Sequence, residues 1–134
     1  MTADPLNDTA VRAIACLDLT SLNDDDTDAV IEALCARAVT PAGPVAAVCV
    51  YAPFVPLCRR LLDGSGVRVC TVVNFPHGRE DAAAVAAETR AAVGDGADEI
   101  DVVLPYQAWL TGRRAPAVAV LQAAREAAGD RTLK

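Results

Sequence analysis

Apolar runs of strand length alternate with segments of helical spacing along the chain. The runs of strand length lie at 13–17, 45–50, 67–73 and 100–104. Segments in which apolar residues recur every three or four positions predict helices at 27–39, 53–62, 81–93 and 116–128. Leu133 and Lys134 resemble the start of a fifth strand, so the sequence predicts a series of strand–helix units.

The helix predicted at 27–39 is expected to bury one face, which consists of Val30, Ile31, Leu34 and Ala38. The acidic residues at 24–26 precede this helix, and we expect them to supply its N-cap and to complement its dipole. The prolines that follow, at 41 and 44, are expected to end it.

Each predicted strand is followed by a helix, and this order requires parallel strands with right-handed crossovers. The chain has 134 residues, enough for one domain but well short of the roughly 250 residues of a closed (β/α)₈ barrel. We therefore predict a single α/β domain over residues 1–134. Spacing alone leaves two architectures open, which are half of a βα barrel and a small open sheet with helices on both faces.

Composition narrows the classes of function. Hydrophobic residues make up 53% and aromatic residues 4%, which indicates an aliphatic core. The net charge is −6 and the arginines form no large cluster, so nucleic acid is not expected as a partner. No apolar run is long enough to cross a membrane, and residues 1–7 lack an apolar signal segment, so a cytoplasmic location is expected.

The cysteines and the histidine do not form a metal-binding pattern. The five cysteines are widely spaced without a CxxC pair, and His77 is the single histidine, so no zinc site is expected. Each cysteine lies in an apolar segment and is expected to behave as a small buried hydrophobe in a reducing compartment. His77, in the loop after the third strand, is expected to be structural or solvated rather than catalytic.

Polar residues near the carboxyl ends of the predicted strands are candidates for chemistry, because ligands of parallel βα folds bind there. Asp18 follows the first strand, Cys49 lies near the end of the second, and Asn74 follows the third. Asp101 lies inside the fourth strand, where an isolated carboxylate is costly to bury. It is either an interior carboxylate satisfied by a neighbour or a proton carrier, and the similar position of Asp18 favours the second interpretation.

Five segments in the same order resemble motifs of the deoxyribose-phosphate aldolases. They read LDLTSLN at 17–23, AVCVY at 47–51, TVVNFPHG at 71–78, ETRAA at 88–92 and GADEIDVV at 96–103. The resemblance covers nearly the whole chain. It implies the first half of a (β/α)₈ barrel, with four strands and the start of a fifth.

The resemblance also implies an activity and roles for single residues. Members of this family are class I aldolases of deoxyribonucleotide catabolism that use neither metal nor cofactor. They cleave 2-deoxy-D-ribose 5-phosphate to acetaldehyde and D-glyceraldehyde 3-phosphate through a lysine Schiff base. Asp101 matches the carboxylate of the proton relay. Asp18, Thr20 and Cys49 match residues of the substrate pocket, and Lys134 matches a lysine of the fifth strand that lines the same pocket.

The imine-forming lysine of the family lies on a later strand than any in these 134 residues, so we expect the chain to be inactive alone. As a terminal residue, Lys134 is expected to be solvated. An alternative is a non-catalytic half-barrel that serves as a binding or assembly module. In both cases the open edges of the half-barrel are expected to favour a homo-oligomer. A receiver-like signalling domain is a third class, but it needs an aspartate where Asn74 stands.

Overall fold

The computed structural model of the protein describes residues 5–134, and it describes side chains from Asn7 onward. These residues form two compact units, of which the first ends at Val69 and the second runs from Cys70 to Lys134. The elements of the first unit are α1 (Pro5–Ala15), β1 (Asp18–Thr20), α2 (Asp28–Arg37), β2 (Val39–Thr40), β3 (Gly43–Pro44), β4 (Ala47–Val50) and α3 (Val55–Leu61). Strand β5 (Arg68–Val73) contains the boundary, and the second unit continues with α4 (Ala82–Gly94), β6 (Glu99–Val102), α5 (Tyr106–Leu110), α6 (Arg114–Ala128) and β7 (Thr132–Leu133).

The core of the first unit forms around strand β4. All four of its residues are buried, as the continuous apolar run predicts for a strand covered on both faces. Strand β1 pairs with β4 in parallel, with Asp18 opposite Ala47 and Thr20 opposite Cys49. Helices α2 and α3 contact each other, and each contributes buried aliphatic residues to this core.

The predicted bounds of the first strand, 13–17, were wrong by several residues. Residues 13–15 complete helix α1, and β1 begins only at Asp18. A run of five apolar residues fits a helix turn as well as a strand, so its periodicity could not distinguish the two. Asp18 therefore opens its strand instead of following it. The segment at 41–44, predicted as a simple break, contains the turn at 41–42 and strand β3 of the antiparallel hairpin β2–β3.

Helix α2 confirms the helix predicted at 27–39, but not the expected burial of Val30 or the expected N-cap. Ile31, Leu34 and Ala38 are buried, whereas Val30 is 44% exposed. Leu34 lies three positions after Ile31, and Ala38 lies four positions after Leu34, so all three lie on one side of the helix. Val30 immediately precedes Ile31 and is rotated from it by about 100° around the helix axis. The acidic run does not supply the N-cap, because the hydroxyl of Thr27 accepts a hydrogen bond from the Val30 N–H at 3.4 Å.

In the second unit, the contact between the long helices α4 and α6 is made largely by small side chains. Strands β5, β6 and β7 pair in parallel. Helices α4 and α6 contact each other, and their buried positions are Val85, Thr89, Ala92, Ala117, Val120, Ala124 and Ala128. The Thr89 hydroxyl donates to the Val85 carbonyl at 2.8 Å, which satisfies the polar group of this buried side chain. The abundance of alanine allows the two helices to approach closely.

The elements of the second unit largely follow the sequence prediction. Asp81 caps α4 by accepting a hydrogen bond from the Ala84 N–H, and β7 is the predicted fifth strand. Helix α6 begins two residues earlier than expected, and the short helix α5 was not predicted. Arg125 donates to the carbonyls of Gly129 and Arg131, both at 2.6 Å, which fixes the turn between α6 and β7.

Exposure corrects one expectation about the cysteines. Cys35, Cys49, Cys58 and Cys70 are buried, but Cys16 is exposed at the end of α1, and all are free thiols. Among residues 5–134, none of the helices has both the length and the apolar character needed to span a membrane.

Candidate active site

The candidate residues of the first unit share one face of the β1–β4 ladder. Asp18 and Thr20 are two positions apart on β1, so their side chains leave the strand on the same side. Cys49 is the parallel partner of Thr20 and faces that side too. Cys49 is buried, Asp18 is half-buried, and the exposed Thr20 hydroxyl donates to the Asp18 carbonyl at 3.1 Å. The structure thus brings three of the predicted residues together.

The loop after β1 is held by a carboxylate that the sequence assigned to a helix cap. Asp26 accepts hydrogen bonds from the Ser21 hydroxyl at 2.8 Å and from the backbone N–H of Asn23 at 3.1 Å. The side-chain amide of Asn23 also donates to it. Desolvation alone would raise the pKa of Asp26, but these hydrogen bonds outweigh it and leave the pKa below its ordinary value.

Replacing Ser21 by alanine should raise the pKa of Asp26, because the nearest donor to its carboxylate is lost. The folded-state pKa is depressed, so the stability from this contact is present above the unfolded-state pKa and is lost as pH falls through the folded-state value. The stability difference between wild type and Ser21→Ala should therefore narrow from pH 7 to pH 3, as measured by urea denaturation. Ser65→Ala is the control, since Ser65 donates to the Leu62 carbonyl, which does not titrate. An equal narrowing in both variants would contradict the assignment.

Asp101 lies on β6 of the second unit, as predicted. Side chains alternate along a strand, so Glu99 and Asp101 lie on one face while Ile100 and Val102 lie on the other. The Asp101 carboxylate is half-buried and makes no hydrogen bond or ion pair with any residue that the structure describes. Among these residues, no neighbour satisfies the Asp101 carboxylate in the way that one of the two sequence interpretations requires.

Lys134 continues the β6–β7 ladder next to Asp101. Its N–H donates to the Ile100 carbonyl at 2.8 Å, and its carbonyl accepts from the Val102 N–H at 3.0 Å. These two bonds flank Asp101, so both side chains lie on the face that also carries Glu99. The Lys134 ammonium forms an ion pair with the Glu99 carboxylate at 2.8 Å. Lys134 is exposed as a whole, as expected of a terminal residue, but its side chain is 32% exposed and is held by this ion pair.

The turn after β5 is organised by Asn74, which has a positive φ of 59°. Its side-chain amide donates to the Arg79 and Val103 carbonyls at 2.9 and 3.0 Å, and its side-chain oxygen accepts from the Arg79 N–H at 3.0 Å. Its backbone N–H donates to the Glu88 carboxylate at 2.8 Å. The turn is thus fixed to helix α4 and to the residue after β6, while His77 is exposed within it.

Glu99 and Glu88 are functional candidates that the sequence analysis missed. Both lie within the motifs, but their partners belong to other elements of the second unit. Only the position of Glu99 carried a usable signal, because it stands two residues before Asp101 and must share its strand face.

Residues 12–134 match the DeoC/LacD family of aldolases. The chain is a member of this family. It is similar to a protein of Coccidioides immitis assigned as a deoxyribose-phosphate aldolase, with 32% identity and a TM-score of 0.83. That match covers 92% of this chain and 48% of the other.

Two further structures of lower identity show the same fold. A Toxoplasma gondii protein assigned as a deoxyribose-phosphate aldolase is 24% identical with a TM-score of 0.84, covering 97% of this chain and 54% of its own. A tetrameric deoxyribose phosphate aldolase of Aeropyrum pernix is 19% identical with a TM-score of 0.71, covering 88% and 50%. This member of the DeoC/LacD family spans about half the length of these structures. The prediction of the first half of a TIM-type barrel is confirmed.

Proposed function

We propose that these residues form the first half of an aldolase site that cleaves 2-deoxy-D-ribose 5-phosphate to acetaldehyde and D-glyceraldehyde 3-phosphate. The observation that supports it most directly is the half-buried Asp101 carboxylate, which has no hydrogen bond or ion pair within residues 7–134 and shares its strand face with the Lys134 side chain. The family membership supports the reaction class, and the resemblance to the Coccidioides protein supports the substrate.

Asp101 has the properties of a proton carrier in this reaction. A lysine amine condenses with the aldehyde carbon of the open sugar, and the resulting iminium accepts the electron pair of the C2–C3 bond when that bond breaks. The hydroxyl on C3 must lose its proton in that step, and C2 must gain one before acetaldehyde leaves. A carboxylate at this position can accept and return such a proton, directly or through water.

Lys134 is proposed as a cationic wall of the pocket and not as the imine-forming lysine. A Schiff-base lysine attacks the carbonyl through a free amine, whereas the Lys134 ammonium is held by the Glu99 carboxylate at 2.8 Å. The Lys134 ammonium instead adds a positive charge to the strand face that carries Glu99 and Asp101. We place the imine-forming lysine in the part of the barrel that corresponds to the second half of the relatives.

Asp18, Thr20 and Cys49 are proposed to contact the substrate from the first unit. A carboxylate and a hydroxyl on one strand face can hold the sugar hydroxyls. The buried Cys49 thiol beside Thr20 provides apolar bulk at the same level of the ladder.

Self-association is also proposed, since apolar surface remains open in the second unit. A groove of about 510 Å³ lies between α6 and β7, lined by Leu121, Gln122, Arg125, Glu126 and Leu133. Val118 and Leu121 are 47% and 40% exposed on α6. Either the rest of a barrel or a second copy would cover this surface.

The test requires a completed chain. We define it as residues 1–134 continued by the rest of their own reading frame or, where that ends, by the second half of the Coccidioides protein. It should release acetaldehyde from 2-deoxyribose 5-phosphate in a coupled dehydrogenase assay. The 134-residue chain alone should show neither turnover nor a borohydride-trapped acetaldehyde adduct on Lys134, as read by intact mass and compared with Lys134→Met.

Two outcomes would contradict the proposal. A completed chain that folds, by circular dichroism, but cleaves no deoxyribose phosphate would remove the substrate assignment. A Lys134-dependent adduct in the 134-residue chain would show that Lys134 is itself a Schiff-base nucleophile and would reverse its proposed role.

A further inference from the structure

Two cysteine side chains of the first unit are in contact between helices α2 and α3. The Sγ atom of Cys35 lies 3.7 Å from the Sγ atom of Cys58. Their residues are 5% and 0% exposed, and both are free thiols. Neither belongs to the strand face that carries Asp18, Thr20 and Cys49, so the aldol reaction proposed above gives this contact no role.

The distance is close to that needed for a covalent bond. A disulfide requires an S–S distance of about 2.05 Å, so each sulfur must move by less than about 1 Å. The two thiols already face each other from adjacent helices, and small rotations about their Cα–Cβ bonds can supply a movement of this size. We propose that Cys35 and Cys58 form an oxidation site, at which a hydroperoxide converts the two thiols into an intramolecular disulfide.

The reaction balances in two steps. The Cys35 sulfur attacks the terminal oxygen of the hydroperoxide, the O–O bond breaks, and the thiol proton leaves with the alkoxide as an alcohol. The resulting sulfenic acid is attacked by the Cys58 sulfur, its S–O bond breaks, and the hydroxyl leaves with the Cys58 proton as water. The two thiols lose two electrons and two protons, and the hydroperoxide is reduced to alcohol and water.

Burial determines the order and speed of these steps. Burial raises the pKa of both thiols, and that of Cys58 reaches about 12. Thiolates are therefore scarce at neutral pH, and oxidation requires α2 and α3 to separate locally. Cys35 is the more exposed of the two and is the sulfur that a peroxide reaches first.

The bond would close a loop that contains the hairpin β2–β3 and strand β4. This loop carries Cys49, one of the candidate pocket residues. Cross-linking its two ends restricts the unfolded chain far more than the folded one, whose sulfurs are already adjacent. Oxidation should therefore stabilise the first unit.

The experiment uses the 134-residue chain with Cys16→Ser, which removes the exposed thiol. The protein is treated with hydrogen peroxide, quenched, denatured and alkylated. Apart from the added alkyl groups, the expected product is about two mass units lighter than the reduced chain, and two of its remaining four cysteines are alkylated. A portion of the oxidised protein that is kept folded should melt roughly 5 to 10 °C higher than the reduced chain, and dithiothreitol should remove this rise. Trypsin should release residues 13–37 joined to 38–59, with fragmentation placing the bond at Cys35 and Cys58.

Single variants provide matched controls. Cys35→Ser and Cys58→Ser, each in the Cys16→Ser chain, should give no loss of two mass units and no rise in melting temperature. The proposal is overturned if the parent chain accumulates sulfinic acid without a disulfide, or if the bond maps to Cys49 or Cys70. These readings come from the parent chain alone, so they decide the question even if a serine variant fails to fold.

Discussion

Asp101→Asn should lower kcat of the completed chain for 2-deoxyribose 5-phosphate by about 10²- to 10⁴-fold, the usual contribution of a positioned acid–base group. Asparagine keeps the shape of the side chain but cannot accept or return the proton of the C3 hydroxyl. The half-buried carboxylate has no hydrogen-bond partner within residues 5–134, so its replacement should leave stability nearly unchanged. Acetaldehyde release measures the rate, and urea denaturation measures the stability.

Borohydride trapping separates this role from a loss of binding. The Asp101→Asn variant should still form a trapped imine with acetaldehyde, because that step breaks no C–C bond. Asp95→Asn is the matched control, since Asp95 is an exposed residue at the end of α4, and it should retain full turnover. Turnover of Asp101→Asn within threefold of wild type would remove Asp101 from the proton path.

Gly78→Ala should destabilise the protein by about 3 kcal/mol or more, the largest effect expected of a single methyl group here. Gly78 has a φ of 60°, and a Cβ at this position would meet the backbone oxygen of Leu104 and lie 2.9 Å from the ring of Tyr106. The turn cannot relax easily, because the Gly78 N–H donates to the Asn74 carbonyl and Asn74 is itself fixed by several hydrogen bonds. Urea denaturation provides the measurement.

Gly112→Ala isolates the backbone contribution. Gly112 also belongs to the second unit and has a φ of 82°, but a Cβ there would have no atom within 4 Å. Its cost should be only the left-handed conformation, about 1 kcal/mol. Equal losses in the two variants would mean that the contact with Leu104 and Tyr106 does not constrain the turn.

The sequence predicted the structure best where a segment is buried along its whole length. It predicted least where the contacting residues lie far apart in the sequence. The apolar run at β4 and the capped, alanine-rich segment of α4 each predict a single structure. The run at 13–17 is too short for its periodicity to separate helix from strand, and the five residues of α5 are too few to show a helical repeat.

The same distinction applies to the site. Asp101 could be identified because a carboxylate within an otherwise apolar strand is already unusual in the sequence itself. The ion pair between Glu99 and Lys134 depends on the register of β6 with β7, and the contact of Cys35 with Cys58 depends on how α2 packs on α3. Register and packing are set by the whole core and not by either residue alone.

The boundary between the two units falls inside strand β5, and this has a consequence for protein engineering. A cut between residues 69 and 70 would divide a strand and leave both fragments with an interrupted edge. The preceding loop at 63–66 contains Gly64 and Gly66, and neither has an atom within 4 Å of the position that a side chain would occupy. An inserted domain or the junction of a split reporter should be tolerated in that loop, where β5 remains whole.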